Sequence, residues 1–276
     1  MIILSSPNEI AFTIFSIPIY YYGLVLSFGA LIGFYCSYFI AKKYYPTINA
    51  DILYDIVPFL IVIGLISARL YYCLLNIDYY TSHAGEILNF RQGGLSIHGG
   101  IIGGFIGLYI IAKLKKCSVI KLADILAYGL ILAQSIGRCG NFFNNEAYGL
   151  PTDKFIAVYI PEHARIPGYG SFQYFHPTFL YESICNLLIF IILCFITKKF
   201  KNKFDGLIFS LYLIFYSIAR FFIENLRTDC IKDLGILHFP QIMSIIMLLI
   251  GLISIFVFAY KKQIINVFQK KFPNRY

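Results

Sequence analysis

Charge is scarce in this chain. Of its 276 residues only 13% are charged, while 59% are hydrophobic. A soluble domain carries about 25% charged and about 45–50% apolar residues. That imbalance excludes a globule built for water. Tryptophan is absent beside 23 Tyr and 27 Phe, so Tyr must supply the anchoring at a membrane interface that Trp often shares. The seven cysteines form no C-x-x-C pair and no metal-type spacing. Most fall inside apolar runs (Cys36, Cys73, Cys185, Cys194) and read as small buried hydrophobes. Neither a disulfide framework nor a structural metal is expected. No Lys or Arg precedes the first apolar run, so the basic region of a cleaved signal is missing. The chain also lacks a P-loop, a nucleophile elbow, a zinc-protease motif and a transporter-like internal repeat.

Long apolar runs are what it has. A helix crosses the hydrocarbon core with about 20 apolar residues. Seven stretches qualify: Pro18 to Ala41, Ile52 to Leu75, Gly94 to Leu114, Val119 to Gly137, Pro177 to Thr197, Gly206 to Leu226 and Phe239 to Tyr260. The expected fold is an all-α polytopic membrane protein, residues 1–276 forming one integral membrane domain. Turn signals at Gly149-Leu150-Pro151, Pro161 and Pro167-Gly168 mark 138–176 as a small extracytoplasmic cap between the fourth and fifth helices. Within it, Phe155 to Ile160 suits a short strand. Asn76 to Gln92 is amphipathic enough to lie along the interface.

The basic residues fall unevenly between the two sets of loops. One set holds fifteen: Lys42 and Lys43; Lys113, Lys115, Lys116 and Lys121; Lys198, Lys199, Lys201 and Lys203; and Lys261, Lys262, Lys270, Lys271 and Arg275. The other holds five, namely Arg91, Lys154, Arg165, Arg227 and Lys232. Positive loops stay in the cytoplasm, which puts the N-terminus outside and the C-terminus inside. The net charge of +9 is therefore a topology signal, attractive to anionic lipid headgroups and not a nucleic-acid footprint.

An ionisable group inside a membrane helix costs about 2.5–3.5 kcal/mol and is a functional candidate by default. Arg69, Arg138 and Arg220 lie within or at the ends of apolar segments. In "YSIARFFIENLR", Tyr216, Arg220, Glu224 and Arg227 recur at helical spacing, and Arg220 can pair with Glu224. A structural salt bridge explains that pair. A stripe facing a headgroup cavity explains all four residues. "GRCGNFFNNEAYG" sets Arg138, Asn141, Asn144 and Glu146 among Gly137, Gly140 and Gly149, a segment rich in donors for phosphate or glycerol oxygens. "GGLSIHGGIIGGFIG" places His98 before Gly100, Gly103, Gly104 and Gly107, which are spaced for close helix contact. That spacing makes Gly104→Leu more damaging in expectation than Leu108→Ala. His98 reads either as a hydrogen-bonded packing residue or as a proton-transfer group. "HPTFLYES" sets His176 and Pro177 at the mouth of the fifth helix, with Tyr181 and Glu182 within it.

Taken together, these strings resemble the bacterial prolipoprotein diacylglyceryl transferase family over nearly the whole chain. "GRCGNFFNNEAYG" looks like its signature, with Arg138, Asn141, Glu146 and Gly149 in matching places. His98, the Tyr216, Arg220, Glu224 and Arg227 stripe, Tyr22 with Gly23, "SARLYY" and Gln241 follow in family order. One departure is Phe175, where the family often has a basic residue.

The resemblance implies transfer of diacylglyceryl from phosphatidylglycerol to the thiol of a prolipoprotein lipobox cysteine. The products are a thioether and glycerol phosphate. It implies catalytic roles for His98, Arg138 and Arg220, and substrate contacts at Tyr22, Asn141, Glu146, Gly149, Tyr216, Glu224 and Arg227. Neither cofactor nor metal is implied. The expected partners are phosphatidylglycerol, prolipoprotein signal peptides and membrane lipids, at the bacterial cytoplasmic membrane. The residues read without the resemblance reach only an outer-face site for an anionic headgroup, which would also suit a transporter or flippase.

Overall fold

The computed structural model describes residues 2–90, 93–200, 204–228 and 237–271, with side chains through residue 263. Arg91, Lys201, Lys203, Lys232 and Arg275 of the charge count, and the side chains of Lys270 and Lys271, lie outside the described residues. So does Gln92 at the end of the amphipathic stretch.

A chain segment in lipid must bond its own backbone, and the long apolar runs accordingly form helices. These are α1 (Tyr21–Tyr44), α2 (Leu53–Leu75), the short α3 (Ile77–Ser82), α4 (Ile97–Leu114), α5 (Val119–Phe143), α6 (Thr178–Phe200), α7 (Leu207–Glu224) and α8 (Phe239–Lys271). Seven are long and apolar enough to cross a membrane, all but α3. The chain is thus a multi-pass membrane protein. The strands are β1 (Ile2–Ser5), β2 (Ile10–Ile14), β3 (Ile17–Tyr20), β4 (Ile156–Tyr159) and β5 (Tyr174–Phe175).

Most helix ends fall within three residues of the sequence reading and α8 runs on to Lys271, but three boundaries bear on the site, each for a local reason. Pro18 belongs to β3 and not to the first helix, because residues 10–20 fold back as an antiparallel hairpin. The fourth span continues six residues past Gly137 to Phe143. Tyr22 covers Gly140 so closely that a Cβ there would lie 2.9 Å from its Cδ2, and this contact offsets the low helix propensity of glycine. The sixth span stops at Glu224, so Arg227 stands beyond the helix and not on its face.

The described chain groups into two compact units, Met1–Ser37 with Leu126–Tyr276, and Tyr38–Ile125. In the first, α1 crosses α5 at Gly33 and Gly129: a Cβ on Gly33 would stand 2.5 Å from the Gly129 carbonyl oxygen. One turn away, Gly29 meets Ala133 and Ile136. A three-stranded sheet of order β1-β4-β5 lies outside the spans, with β1 parallel and β5 antiparallel to β4. Its core is Tyr148, Val158, Ile160, Phe175 and Phe179, all buried. Phe175 is fully covered and packs on the Tyr148 ring at 4.9 Å, so a basic side chain has no solvated place there.

In the second unit α4 packs on α2. The close contacts run along Gly99, Gly103 and Gly107, where a Cβ would strike Tyr71, Ser67 and Ile63 respectively. The Gly103–Gly107 pair therefore does what its spacing suggests. Gly104 does not: nothing lies within 4 Å of a Cβ there, because a residue one position on turns about 100° away from the contact. Leu108 is the buried one, at 7% exposure. The expected order is thereby corrected. Gly103→Leu should sharply reduce folded protein in detergent, while Gly104→Leu should remain near wild type. A thermal-melt comparison of the two variants decides it, and equal melting temperatures would remove the packing argument.

Arg69 shows what a buried guanidinium does when it serves the fold. Only 2% exposed, it donates to the carbonyls of Ile87, Glu86, Gly93 and Gly94 at 2.9, 2.7, 2.7 and 3.1 Å. The Tyr80 and Tyr72 rings flank it at 5.4 and 5.9 Å. It ties down the loop that leads into α4 and, among the described residues, has no carboxylate to share.

Candidate active site

The first unit gathers charge at one end of its helices. Glu182, on the first turns of α6 and 3% exposed, is the centre. Its Oε2 accepts Arg138 Nη2 at 2.7 Å. Its Oε1 accepts Arg220 Nη1 at 2.5 Å and Arg227 Nη1 at 2.9 Å. Arg220 Nη2 reaches Glu224 Oε2 at 2.5 Å, so the i, i+4 pair forms as its spacing suggests. Among the described residues, three guanidiniums thus meet two carboxylates. Stranding one member of such a buried cluster costs about 3–5 kcal/mol. A guanidinium has five N–H donors. Arg138 gives one nitrogen to Glu182, and its side chain keeps 25% exposure.

Beside this cluster is a cleft of about 410 Å³, lined by Glu9, Tyr20, Tyr22, Gly23, Asn144 and Glu146. Glu146 Oε1 accepts Asn141 Nδ2 at 2.8 Å and Asn144 Nδ2 at 3.2 Å, which fixes both amides at the wall. Tyr22 lies within the electrostatic reach of both Glu146 and Arg138, linking the cleft to the arginines. The start of α1 is held over the end of α5 by Tyr21 stacked on Phe143 at 4.6 Å.

Gly149 has a different task. A Cβ on it would strike the Leu226 carbonyl and lie 2.7 Å from Thr178 Cγ2. Its N–H bonds the His176 carbonyl at 2.8 Å, and its backbone bridges Arg227. The missing side chain lets the segment after α7 pass close by, which brings Arg227 back to Glu182. Tyr216 stacks on Tyr212 at 5.8 Å, one turn before Arg220, and Tyr212 donates to Gln134 at 3.2 Å. His176 Nδ1 sits 3.2 Å from the Tyr181 hydroxyl. Burial first, and Lys154 second, lower the His176 pKa from its ordinary 6.5, which favours the neutral ring.

In the second unit, His98 is half-buried on the first turn of α4. Three contacts set its position. Ser96 N–H bonds the Ala68 carbonyl at 3.0 Å, Gly99 presses on Tyr71, and the Tyr71 ring lies 6.4 Å from the imidazole. Arg69 closes the loop before it.

Of the residues singled out in the sequence, the structure joins Arg138, Arg220, Glu224 and Arg227 in one ionic cluster, and Tyr22 and Glu146 in one cleft. Asn141 is bonded to the cleft wall. Glu182 was the residue whose weight sequence did not show. Its partners lie 38 to 45 residues away, beyond any helical spacing. The one available signal was an acid inside an apolar helix.

Comparison with known proteins fits this geometry. The prolipoprotein diacylglyceryl transferase family model matches residues 9–257. The chain is 43% identical over 249 residues to phosphatidylglycerol–prolipoprotein diacylglyceryl transferase of Clostridium novyi, covering 90% of this chain and 95% of that one. It is 40% identical over 263 residues to the enzyme of that name from Finegoldia magna, covering 95% of this chain and 100% of that one. The like-named protein of Trichormus variabilis is 42% identical over 254 residues, covering 90% and 88%.

Proposed function

Because the chain belongs to the prolipoprotein diacylglyceryl transferase family, we propose that it moves the diacylglyceryl group of phosphatidylglycerol onto the lipobox cysteine of prolipoproteins. The observation that carries this is the cluster of three arginines beside the Tyr22–Glu146 cleft, with Arg138 still partly exposed. A phosphodiester headgroup carries one negative charge, and the partly exposed Arg138 guanidinium keeps donors to meet it.

The thiolate sulfur attacks the glyceryl carbon bonded to the phosphate oxygen. A C–S bond forms, the C–O bond breaks, and its electron pair leaves with glycerol phosphate. Arg138 and Arg220 stabilise the charge gathering on the departing phosphate, since guanidinium forks match phosphate oxygens. Tyr22, Asn141 and Glu146 hold the headgroup. Glu224 and Arg227, with Glu182, hold the two arginines in place, Gly149 lets Arg227 approach, and Tyr216, one turn before Arg220, contacts the headgroup. The substrate thiol, with an ordinary pKa of about 8.5, must lose its proton, and His98 is the base.

The test is purified enzyme with phosphatidylglycerol and a lipobox peptide, without any gradient. Thioether product is expected. Movement of labelled lipid between leaflets with no covalent product would favour a flippase instead.

The proposed setting is the bacterial cytoplasmic membrane, with the whole chain acting as one integral membrane domain. The N-terminus and the segment between α5 and α6 lie outside, the C-terminus inside. Tagged cysteines at Lys199 and Ala164 should then label from opposite sides of sealed vesicles. Labelling of both from one side would overturn the orientation.

A further inference from the structure

The sheet outside the spans has one edge in waiting. Ile2 donates its N–H to the Phe155 carbonyl at 2.6 Å. In a parallel ladder alternate residues turn both backbone groups to the same neighbour. Ile2 and Leu4 therefore bond β4, while Ile3 and Ser5 aim N–H and C=O the other way. Among the described residues, no partner bonds those outward groups. The strand is also unprotected by charge: its residues are Ile2, Ile3, Leu4 and Ser5, with Ile2 and Ile3 near half exposure. Proteins usually blunt such an edge with lysine, proline or a bulge, because it is a template for pairing.

Where β1 ends, a second cleft of about 280 Å³ begins at Ser5 and runs past Asn8, Glu9, Asn145, Tyr159 and His163. Asn145 Oδ1 is buried there without a hydrogen-bond donor, and Asn145 holds a left-handed backbone, φ +53°. Glu9 lines both this cleft and the one holding Tyr22 and Glu146. Asn144 faces one and Asn145 the other. Edge, second cleft and reaction cleft therefore follow one another along the surface of the first unit.

We propose that the outward edge of β1 binds the polypeptide substrate as an added strand, with the chain continuing through the second cleft toward the reaction cleft. This rests on the transferase reading. The occupant is the extended segment that follows the reacting cysteine, since the apolar signal segment before it belongs in the membrane. Strand addition takes its affinity from main-chain bonds, which every sequence offers.

The test keeps the wild-type enzyme and changes the peptide. Lipobox peptides are made with a single backbone N-methyl at each successive position after the cysteine. A strand uses alternate N–H groups, so KM for the peptide should rise at every second position. The rise should be roughly three- to tenfold, the worth of one hydrogen bond. In parallel, Ile3→Pro removes one outward donor and no bond to β4, a placement that edge strands tolerate. Peptide KM should rise by a similar factor, with kcat and the KM for phosphatidylglycerol unchanged, while Ile3→Thr should behave as wild type. A flat N-methyl profile overturns the proposal, as does equal peptide KM for Ile3→Pro and Ile3→Thr. If wild type makes no thioether from the unmodified peptide, the transferase reading itself fails. Turnover with a flat profile rejects strand addition alone.

Discussion

Arg138→Ala and Arg220→Ala should each lower transfer by roughly 10²–10³-fold or more, the loss seen when one donor to a developing anion is removed. Their effects on stability should differ. Without Arg138, Glu182 still holds Arg220 and Arg227, so the protein should fold normally. Without Arg220, Glu224 loses the bond to that guanidinium while 1% exposed, and Glu182 loses one of three. Arg220→Ala should therefore melt earlier. Arg220→Ala combined with Glu224→Gln should regain much of that stability without regaining activity, because the buried charge is neutralised but the phosphate partner is still missing. Lysine at either position should rescue poorly. It is a point charge and cannot bridge two acceptors as the fork of Arg220 does between Glu182 and Glu224. Product formation at saturating lipid and peptide, with melting curves for each variant, reads this out. Near-normal turnover in either alanine variant would end the assignment of that arginine to the phosphate.

The same cluster shows what the sequence can and cannot display. Hydropathy located all seven spans, because a membrane helix must be apolar along its whole length and that requirement is local. The pair Arg220–Glu224 was legible for the same reason, being four residues apart on one helix. Glu182 was not, since nothing in its neighbourhood names partners on α5 and α7. The N-terminal strands were equally hidden. The turn between β2 and β3 is Phe15-Ser16, both at positive φ, where a hairpin signal would be Asn-Gly or Asp-Gly. β1 pairs with β4 across some 150 residues of chain, and Ile-Ile-Leu-Ser by itself suits many fates. The strand expected between Phe155 and Ile160 did form, as Ile156–Tyr159, because its apolar residues are bounded by turns. Glycine misled where phase mattered. The stripe Gly99, Gly103, Gly107 touches α2, and Gly104 beside it touches nothing, a difference of one residue that composition cannot resolve.

His98→Gln should separate proton transfer from packing. The substitution keeps much of the size of the side chain and some hydrogen bonding, but removes the base. Its position is well fixed: Arg69 holds the loop before it, Ser96 bonds Ala68, and Gly99 packs on Tyr71. A rotamer-scale change at residue 98 should therefore leave α4 in place, and melting should change little. If His98 takes the thiol proton, the rate should fall by roughly 10²–10⁴ at neutral pH, with affinity for phosphatidylglycerol nearly unchanged. The loss should shrink as pH rises toward the thiol pKa of about 8.5, because the thiolate then forms unaided. The positive field of the arginines offers a different route, lowering the thiol pKa directly. That route predicts a smaller loss at every pH and no such recovery. A pH–rate series on wild type and His98→Gln, taken where both stay folded, distinguishes them. Curves that run parallel with a loss under about fivefold, well below the range for general-base catalysis, would return His98 to the role of a packing residue and leave thiol activation to the guanidinium cluster.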